Sequence, residues 1–130
     1  MRSATCGLAN DPKVVIPVKL ITAVLKPGQF DEVVQAAIDV GAHGLTAAEV
    51  RGFGQQHEPP AEPIVPCGRD SLLVPKLRVD MVVADDTAAS LVEAIANAIN
   101  TGGIGGGEIW VSAVESVLRV RTGERDRDAV

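Results

Sequence analysis

Four stretches of the chain are rich in β-branched and other apolar residues, and this pattern predicts four strands. They cover residues 18–26, 45–53, 77–84 and 109–114, with a short extended tail at 117–121. Strands that are apolar on both sides bury both faces of their sheet. The predicted sheet therefore needs cover beyond its own helices.

The segment after the first strand has the apolar spacing of an amphipathic helix. Pro27 and Gly28 break the strand, and Asp31 is the candidate N-cap, although Gly28 or Gln29 would serve if the helix starts earlier. Gly41 ends the helix. Its apolar residues recur at intervals of three and four, at Phe30, Val33, Val34, Ala37 and Ile38.

A second helix is predicted after the third strand, with Asp85 or Asp86 as its cap. The glycines within residues 102–107 stop it. Its predicted core face consists of Ala88, Leu91, Val92, Ile95 and Ile99. The order is then βαββαβ with a C-terminal extension. It predicts an α+β, ferredoxin-like domain with an antiparallel sheet and both helices on one face.

Two segments show neither the apolar spacing of a helix nor the apolar pattern of a strand. Residues 1–16 predict a flexible N-terminal extension, ahead of a domain at 17–130. Residues 54–74 form a loop with the prolines Pro59, Pro60, Pro63 and Pro66. A loop of about 20 residues is uncommon in a compact domain, so we expect this one to be functional or mobile.

Composition excludes several classes of protein. The 130 residues fit one domain, and so small a subunit would gain from oligomerisation. The net charge of −5 argues against nucleic-acid binding. No apolar run reaches the ~20 residues of a membrane span, so no membrane insertion is expected. Two cysteines without a CxxC motif predict a reduced, cytoplasmic protein.

A glycine-rich segment and an arginine pair carry the candidate chemistry. Residues 101–108 read TGGIGGGE, and the exposed backbone N–H groups of such a loop can form an anion-binding nest. Arg119 and Arg121 would lie on one face of an extended strand, where their guanidinium groups could grip phosphate. Together they predict a nucleotide or another small anion held between loop and strand.

The same residues resemble the PII family of signal-transduction proteins. The run TGGIGGGEIWV at 101–111 looks like the family's B-loop, and RVRTGE at 119–124 looks like its C-loop. Three further blocks agree in order: ITAVLKPG at 21–28, GLTAAEVRGFGQQ at 44–56 and PKLRVDMVVA at 75–84. The resemblance implies a homotrimer with an adenine nucleotide between neighbouring subunits.

The resemblance also implies the residues of the nucleotide site. Gly105 and Gly107 are assigned to backbone contact with the phosphates, and the arginine pair to phosphate charge. Thr46 and Asp80 match positions that line the adenine and ribose pocket. The full set of implied contacts is Thr46, Gly52, Gly54, Asp80, Gly103, Ile104, Gly105, Gly106, Gly107, Glu108, Arg119 and Arg121.

Glu108 departs from the family pattern, because members usually carry a phosphate-gripping lysine there. A carboxylate repels polyphosphate, so we expect a preference for AMP or ADP over ATP more than in a typical family member, with ATP kept open as the ligand. The family's usual charged residues inside the loop are replaced by Gly103 and Gly106, which points the same way. The alternative is that Glu108 points outward. The sequence leaves magnesium open.

The loop at 54–74 corresponds in place to the T-loop, through which family members contact partners. Gln56 and Lys76 match positions that help to bind 2-oxoglutarate as a second effector. The loop's own sequence does not match the usual pattern. The chain contains no tyrosine, so it cannot be uridylylated on one. We therefore expect a different protein partner, a transporter or a metabolic enzyme.

The predicted function is a non-enzymatic PII-type regulator, without catalytic residues. Alternatives are a weak nucleotide-hydrolysing enzyme on the same fold, a metal-tolerance trimer, or a PII-like regulator of carbon or bicarbonate rather than nitrogen uptake. The missing lysine disfavours hydrolysis. His43, His57 and Cys67 are too widely spaced for a metal motif, so no metal site is predicted.

Overall fold

The computed structural model describes residues 18–53, 73–100 and 107–130. Its four strands are β1 (Val18–Leu25), β2 (Thr46–Gly52), β3 (Val74–Ala84) and β4 (Glu108–Val114). Its two α-helices are α1 (Phe30–Val40) and α2 (Asp85–Ile99). Short 3-10 turns occur at Pro27–Gln29 and Asp126–Ala129. The predicted βαββαβ order is confirmed.

The four strands form one antiparallel sheet in the order β2-β3-β1-β4. Together with the two helices, this is the predicted α+β, ferredoxin-like arrangement. In the register, Thr22 of β1 lies opposite Asp80 of β3 and Trp110 of β4. Asp80 also lies opposite Thr46 of β2. Residues directly opposite each other share a face, so these four form one row across the sheet.

The other face of the sheet packs against both helices. The strand residues in this core are Ile21, Ala23, Leu25, Val79, Met81 and Val83. Helix α2 contributes the predicted Ala88, Leu91, Ile95 and Ile99, with Val92 partly buried beside them. Each fully buried aliphatic side chain stabilises the fold by about 1.5–3 kcal/mol. The core is thus aliphatic and lies on one side of the sheet.

The helix ends agree with the sequence in part. Gly41 terminates α1 in the left-handed region, with φ of 108°, as predicted. Helix α1 starts at Phe30 after Gln29, so Asp31 lies in the first turn and is not the cap. The prediction that Asp85 or Asp86 caps α2 is wrong, because both residues are helical. Their carboxylates instead contact Lys19 at 3.6 Å and Arg127 at 2.7 Å.

Strand β3 is longer than the predicted 77–84, since it begins at Val74. The last residue of the predicted 54–74 loop thus belongs to the strand. Val74, Pro75 and Lys76 pair with β2, while pairing with β1 starts at Leu77. Pro75 has no N–H group, and it is tolerated where the strand has one neighbour.

The predicted extended tail at 117–121 is wrong. The chain turns back on itself, so that Leu118 forms a bridge with Arg125. The N–H group of Gly123 donates to the carbonyl of Arg119 at 2.7 Å, and Gly123 has a φ of 77° that glycine adopts freely. The apolar pattern had predicted a strand here, but a turn that contains Gly123 interrupts it.

Candidate functional site

One sheet face, which we call the open face, carries no helix formed by the described residues and holds five of the predicted site residues. Alternation along the strands and the register place Thr46, Gly52, Lys76, Asp80 and Glu108 on it. Thr46 and Asp80 are direct cross-strand partners. Residues that are separated by up to 62 positions in the chain therefore share one surface.

Both oxygens of the Asp80 carboxylate are engaged. The hydroxyl of Thr22 donates to Oδ1 at 2.6 Å, and Nε of Arg78 donates to Oδ2 at 3.3 Å. Thr22 is fully buried, whereas the Asp80 side chain keeps 31% of its surface exposed. The carboxylate is thus fixed from within the sheet and from its surface, while part of it remains open to a ligand.

Sequence reasoning did not find Thr22 or Arg78. A signal for Thr22 was present, because it is the one hydroxyl within the otherwise apolar run ITAVL of β1. Its partner Asp80 is 58 residues away in the chain. To predict this pair one must know the register of the strands, which the sequence pattern does not determine.

Lys76 lies beside Gly52 at the end of the sheet where residues 54–72 join. A Cβ at Gly52 would sit 4.0 Å from Cδ of Lys76, so the lysine stem passes over the glycine. Lys76 also lines a cavity of about 570 Å³. The other lining residues are Pro27, Glu49, Val50, Arg51, Pro75 and Leu77.

Gly107 has a structural role that its place in the glycine-rich segment did not reveal. A Cβ there would collide with the carbonyl oxygen of Val24 and approach Cδ1 of Ile99 to 3.3 Å. Glycine therefore lets the chain enter β4 in close contact with β1. Glu108 follows at once, exposed on the open face opposite Val24. The predicted contacts Gly103, Ile104, Gly105 and Gly106 lie outside the described residues, as do Gly54 and Gln56.

The sequence predicted that Arg119 and Arg121 lie on one face of a strand, but in the structure they do not. Arg119 directs its guanidinium to the carbonyl of Ala129, with Nη2 at 2.8 Å and Nε at 3.3 Å. It also lies 3.9 Å from Glu124. Arg121 lies exposed in the turn that follows. The difference arises because this segment turns instead of extending.

Glu108 and the C-terminal segment that carries the arginines lie at opposite ends of one chain's sheet. Glu108 pairs with Val24 at one end of β4, whereas Val114 pairs with Val18 at the other. At about 3.4 Å per residue, these ends are about 20 Å apart. Arg119 follows Val114, and the ion pair of Arg127 with Asp86 holds the C-terminal segment at that second end. Within the described residues of one chain, Glu108 and Arg119 therefore lie far apart.

Among the described residues, no helix is long and apolar enough to cross a membrane. The same part of the chain holds no cluster of three or more His, Cys, Asp or Glu residues that could bind a metal ion. His57 and Cys67 lie outside it.

Comparison with known proteins identifies the family. The model for "Nitrogen regulatory protein P-II" matches residues 18–124, which include every strand and helix described above. This chain belongs to the P-II family. A nitrogen regulatory protein P-II from Rhizobium meliloti is 44% identical over 117 residues, which cover 86% of this chain and 99% of the relative.

Other P-II relatives agree. One from Mesorhizobium japonicum is 40% identical over 117 residues, and the nitrogen regulatory protein GlnK of Escherichia coli is 37% identical over 112. Each alignment covers 86% of this chain and 99% of the relative. These relatives are named as regulatory proteins, in agreement with the interpretation of this P-II protein as a regulator and not an enzyme.

Proposed function

We propose that this P-II regulator binds an adenine nucleotide on its open face and signals nucleotide occupancy to a protein partner. The observation that carries the proposal is the meeting of Thr46 and Asp80 as cross-strand partners on that face. An oriented carboxylate beside a hydroxyl offers acceptors and a donor to a nucleoside. Gly52, Lys76 and Glu108 border the same surface, toward the end where phosphates would lie.

We further propose that the nucleotide site is completed by a second copy of the chain. Glu108, which follows the glycine-rich segment in the chain, and Arg119 lie toward opposite ends of β4, so a head-to-tail contact between subunits would bring them together. Such a heterologous contact closes into a ring when successive rotations return to the first copy, and otherwise continues as a filament. The exposed apolar side chains on the open face, Val82 at 38% and Trp110 at 41%, provide a surface for it. We propose three copies, by resemblance to the family.

The proposed ligand is ADP or AMP in preference to ATP. Glu108 is exposed on the open face at the start of β4, next to the glycine-rich segment. A carboxylate there disfavours each additional phosphate, and it also offers a ligand to magnesium if ATP binds as its metal complex. The balance between these two effects decides which nucleotide is preferred.

The proposed signal passes through residues 54–74 to the partner. Nucleotide binding favours one arrangement of this segment, and that arrangement has a different affinity for the partner. The Lys76 cavity lies where the segment joins β3, so a second effector there would bias the same equilibrium. The partner is a cytoplasmic enzyme or the cytoplasmic side of a transporter, in nitrogen or in carbon and bicarbonate uptake.

Calorimetric titration with AMP, ADP and ATP tests the proposal. The wild-type protein should bind an adenine nucleotide with one site per subunit. Asp80→Ala should weaken binding at least tenfold, because a hydrogen bond to a charged group is typically worth about 1.5–3 kcal/mol. The matched control is Asp39→Ala, which removes an exposed acid on α1. Absence of binding heat with all three nucleotides would refute the proposal.

A further inference from the structure

Thr22 is an unusual residue for its position in the sheet. It is the only buried polar side chain among the described residues, at 0% exposure, and it lies on the open face in the middle of the central strand β1. A buried hydroxyl without a hydrogen bond costs free energy. Thr22 meets that requirement with its 2.6 Å bond to Asp80, so its burial and the orientation of the acid are linked.

The two contacts to Asp80 differ in character. Arg78 reaches Oδ2 from the surface, and its side chain is 46% exposed. Such an exposed ion pair is weak. Thr22 reaches Oδ1 from a buried, β-branched side chain whose rotamer is restricted. Thr22 is therefore the more constrained of the two contacts that orient the carboxylate.

Each carboxylate oxygen has a further acceptor site. Thr22 contacts Oδ1 and Arg78 contacts Oδ2, and the Asp80 side chain keeps 31% of its surface exposed, so the carboxylate retains acceptor capacity that a ligand can reach. A carboxylate that is already oriented loses less conformational entropy when a ligand binds, so its orientation increases the affinity for the ligand.

We propose that Thr22 is a positioning residue for ligand binding. Its hydroxyl holds Asp80 so that the carboxylate accepts a hydrogen bond from a donor on the nucleoside part of the ligand. The donor is a sugar hydroxyl or the amino group of the base. This inference rests on the proposed adenine-nucleotide function, and it assigns to Thr22 a role that acts through Asp80.

The variants Thr22→Val and Thr22→Ser separate the hydroxyl from the shape of the side chain. Valine keeps the branched shape and loses the donor, whereas serine keeps the donor. Ser112→Ala is the matched control, because Ser112 also lies on the open face but opposite Leu20. The chain has a single tryptophan, Trp110, directly opposite Thr22, so its fluorescence reports binding of AMP or ADP at this row.

We expect Thr22→Val to weaken AMP binding about tenfold, with near wild-type affinity for Thr22→Ser and Ser112→Ala. The deciding measurement is a double-mutant cycle with Asp80→Ala. In that background Thr22→Val should have no further effect on affinity, because its target has been removed. A purely structural role would instead add its loss to that of Asp80→Ala.

Repeating the cycle with 2′-deoxy-AMP, 3′-deoxy-AMP and inosine monophosphate identifies the donor. The coupling between Thr22 and Asp80 should disappear with the analogue that lacks the group in contact with the carboxylate. Persistence of the full coupling with all three analogues would overturn the proposed contact.

Outcomes for the two proposals are distinguishable. If the wild-type protein binds no adenine nucleotide, the proposed function and this inference both fail. If the wild-type binds and Thr22→Val binds equally well, only this inference fails. Circular dichroism checks folding, and Thr22→Ala replaces the valine variant if that variant does not fold. Equal AMP affinity of a folded Thr22→Ala would overturn the inference as well.

Discussion

The hydroxyl of Thr22 donates a 2.6 Å hydrogen bond to the carboxylate of Asp80, between strands that are neighbours only in the folded sheet. Thr22 is fully buried and Asp80 is partly exposed. The pair therefore connects the interior of the sheet to the surface on which we place the ligand. Because β1 and β3 are the two central strands, this connection lies in the most constrained part of the fold.

Replacement of Gly107 by alanine should destabilise the protein without any ligand present. The added Cβ would collide with the backbone carbonyl of Val24, which cannot move without disturbing β1. We expect a loss of about 1–3 kcal/mol in the free energy of unfolding, as for overpacking elsewhere. Urea denaturation at fixed protein concentration measures it. Gly28→Ala is the control, because no atom lies within 4 Å of a Cβ there. Equal stability of the two variants would contradict the close approach.

The two arginines of the C-terminal segment should respond differently to alanine substitution. Arg119→Ala removes both hydrogen bonds to Ala129, so it should loosen the C-terminal segment as well as weaken nucleotide binding. Arg121→Ala should weaken binding alone, since Arg121 lies exposed in its turn. Calorimetry measures affinity, and amide exchange of the last turn measures docking.

Arg127→Ala serves as the control for that pair of variants. It breaks the ion pair with Asp86 and should loosen the segment with little direct effect on the phosphates. Unchanged nucleotide affinity in Arg121→Ala would remove this residue from the site.

Glu108→Lys should increase the selectivity for ATP over AMP. The new charge attracts phosphates, and ATP carries more of them within reach. Titrations at two ionic strengths measure the ratio of affinities, and the gain should shrink at high salt because exposed charges are screened. Glu93→Lys, an exposed position on α2, makes the same change of charge away from the open face. If the ratio stays constant at low salt in Glu108→Lys, Glu108 does not face the phosphates.

Light scattering should give about three times the subunit mass of 13.5 kDa for the wild-type protein. Trp110→Glu should shift the assembly toward monomers, because it buries a charge in the proposed contact between subunits, to which the open face contributes. Ile38→Glu is the control, since Ile38 on α1 is also exposed, at 57%. A wild-type monomer, or a Trp110→Glu variant that assembles normally, would count against the open face as the subunit contact.

The apolar pattern was sufficient to predict the elements. Helix α2 places its predicted residues Leu91, Ile95 and Ile99 in the core, because helical spacing depends on neighbours a few positions apart. Gly41 ended α1 for a similarly local reason, its access to positive φ. The errors had both local and distant causes: a turn at Gly123 interrupts the predicted strand at 117–121. Asp85 and Asp86 look like caps, but Lys19 and Arg127 attract their carboxylates elsewhere.

In the candidate site, too, some features follow from local sequence and others only from the folded structure. The sequence by itself determined the order of strands and helices and, by resemblance, which residues to consider. Only the tertiary structure decided that Thr46, Asp80, Thr22 and Trp110 form one row, because a register slip of one residue would move any of them to the opposite face. It also decided that Arg119 turns toward Ala129, at the far end of the sheet from Glu108. Local spacing sets the period of a strand, whereas its partners and register depend on contacts between residues far apart in the chain.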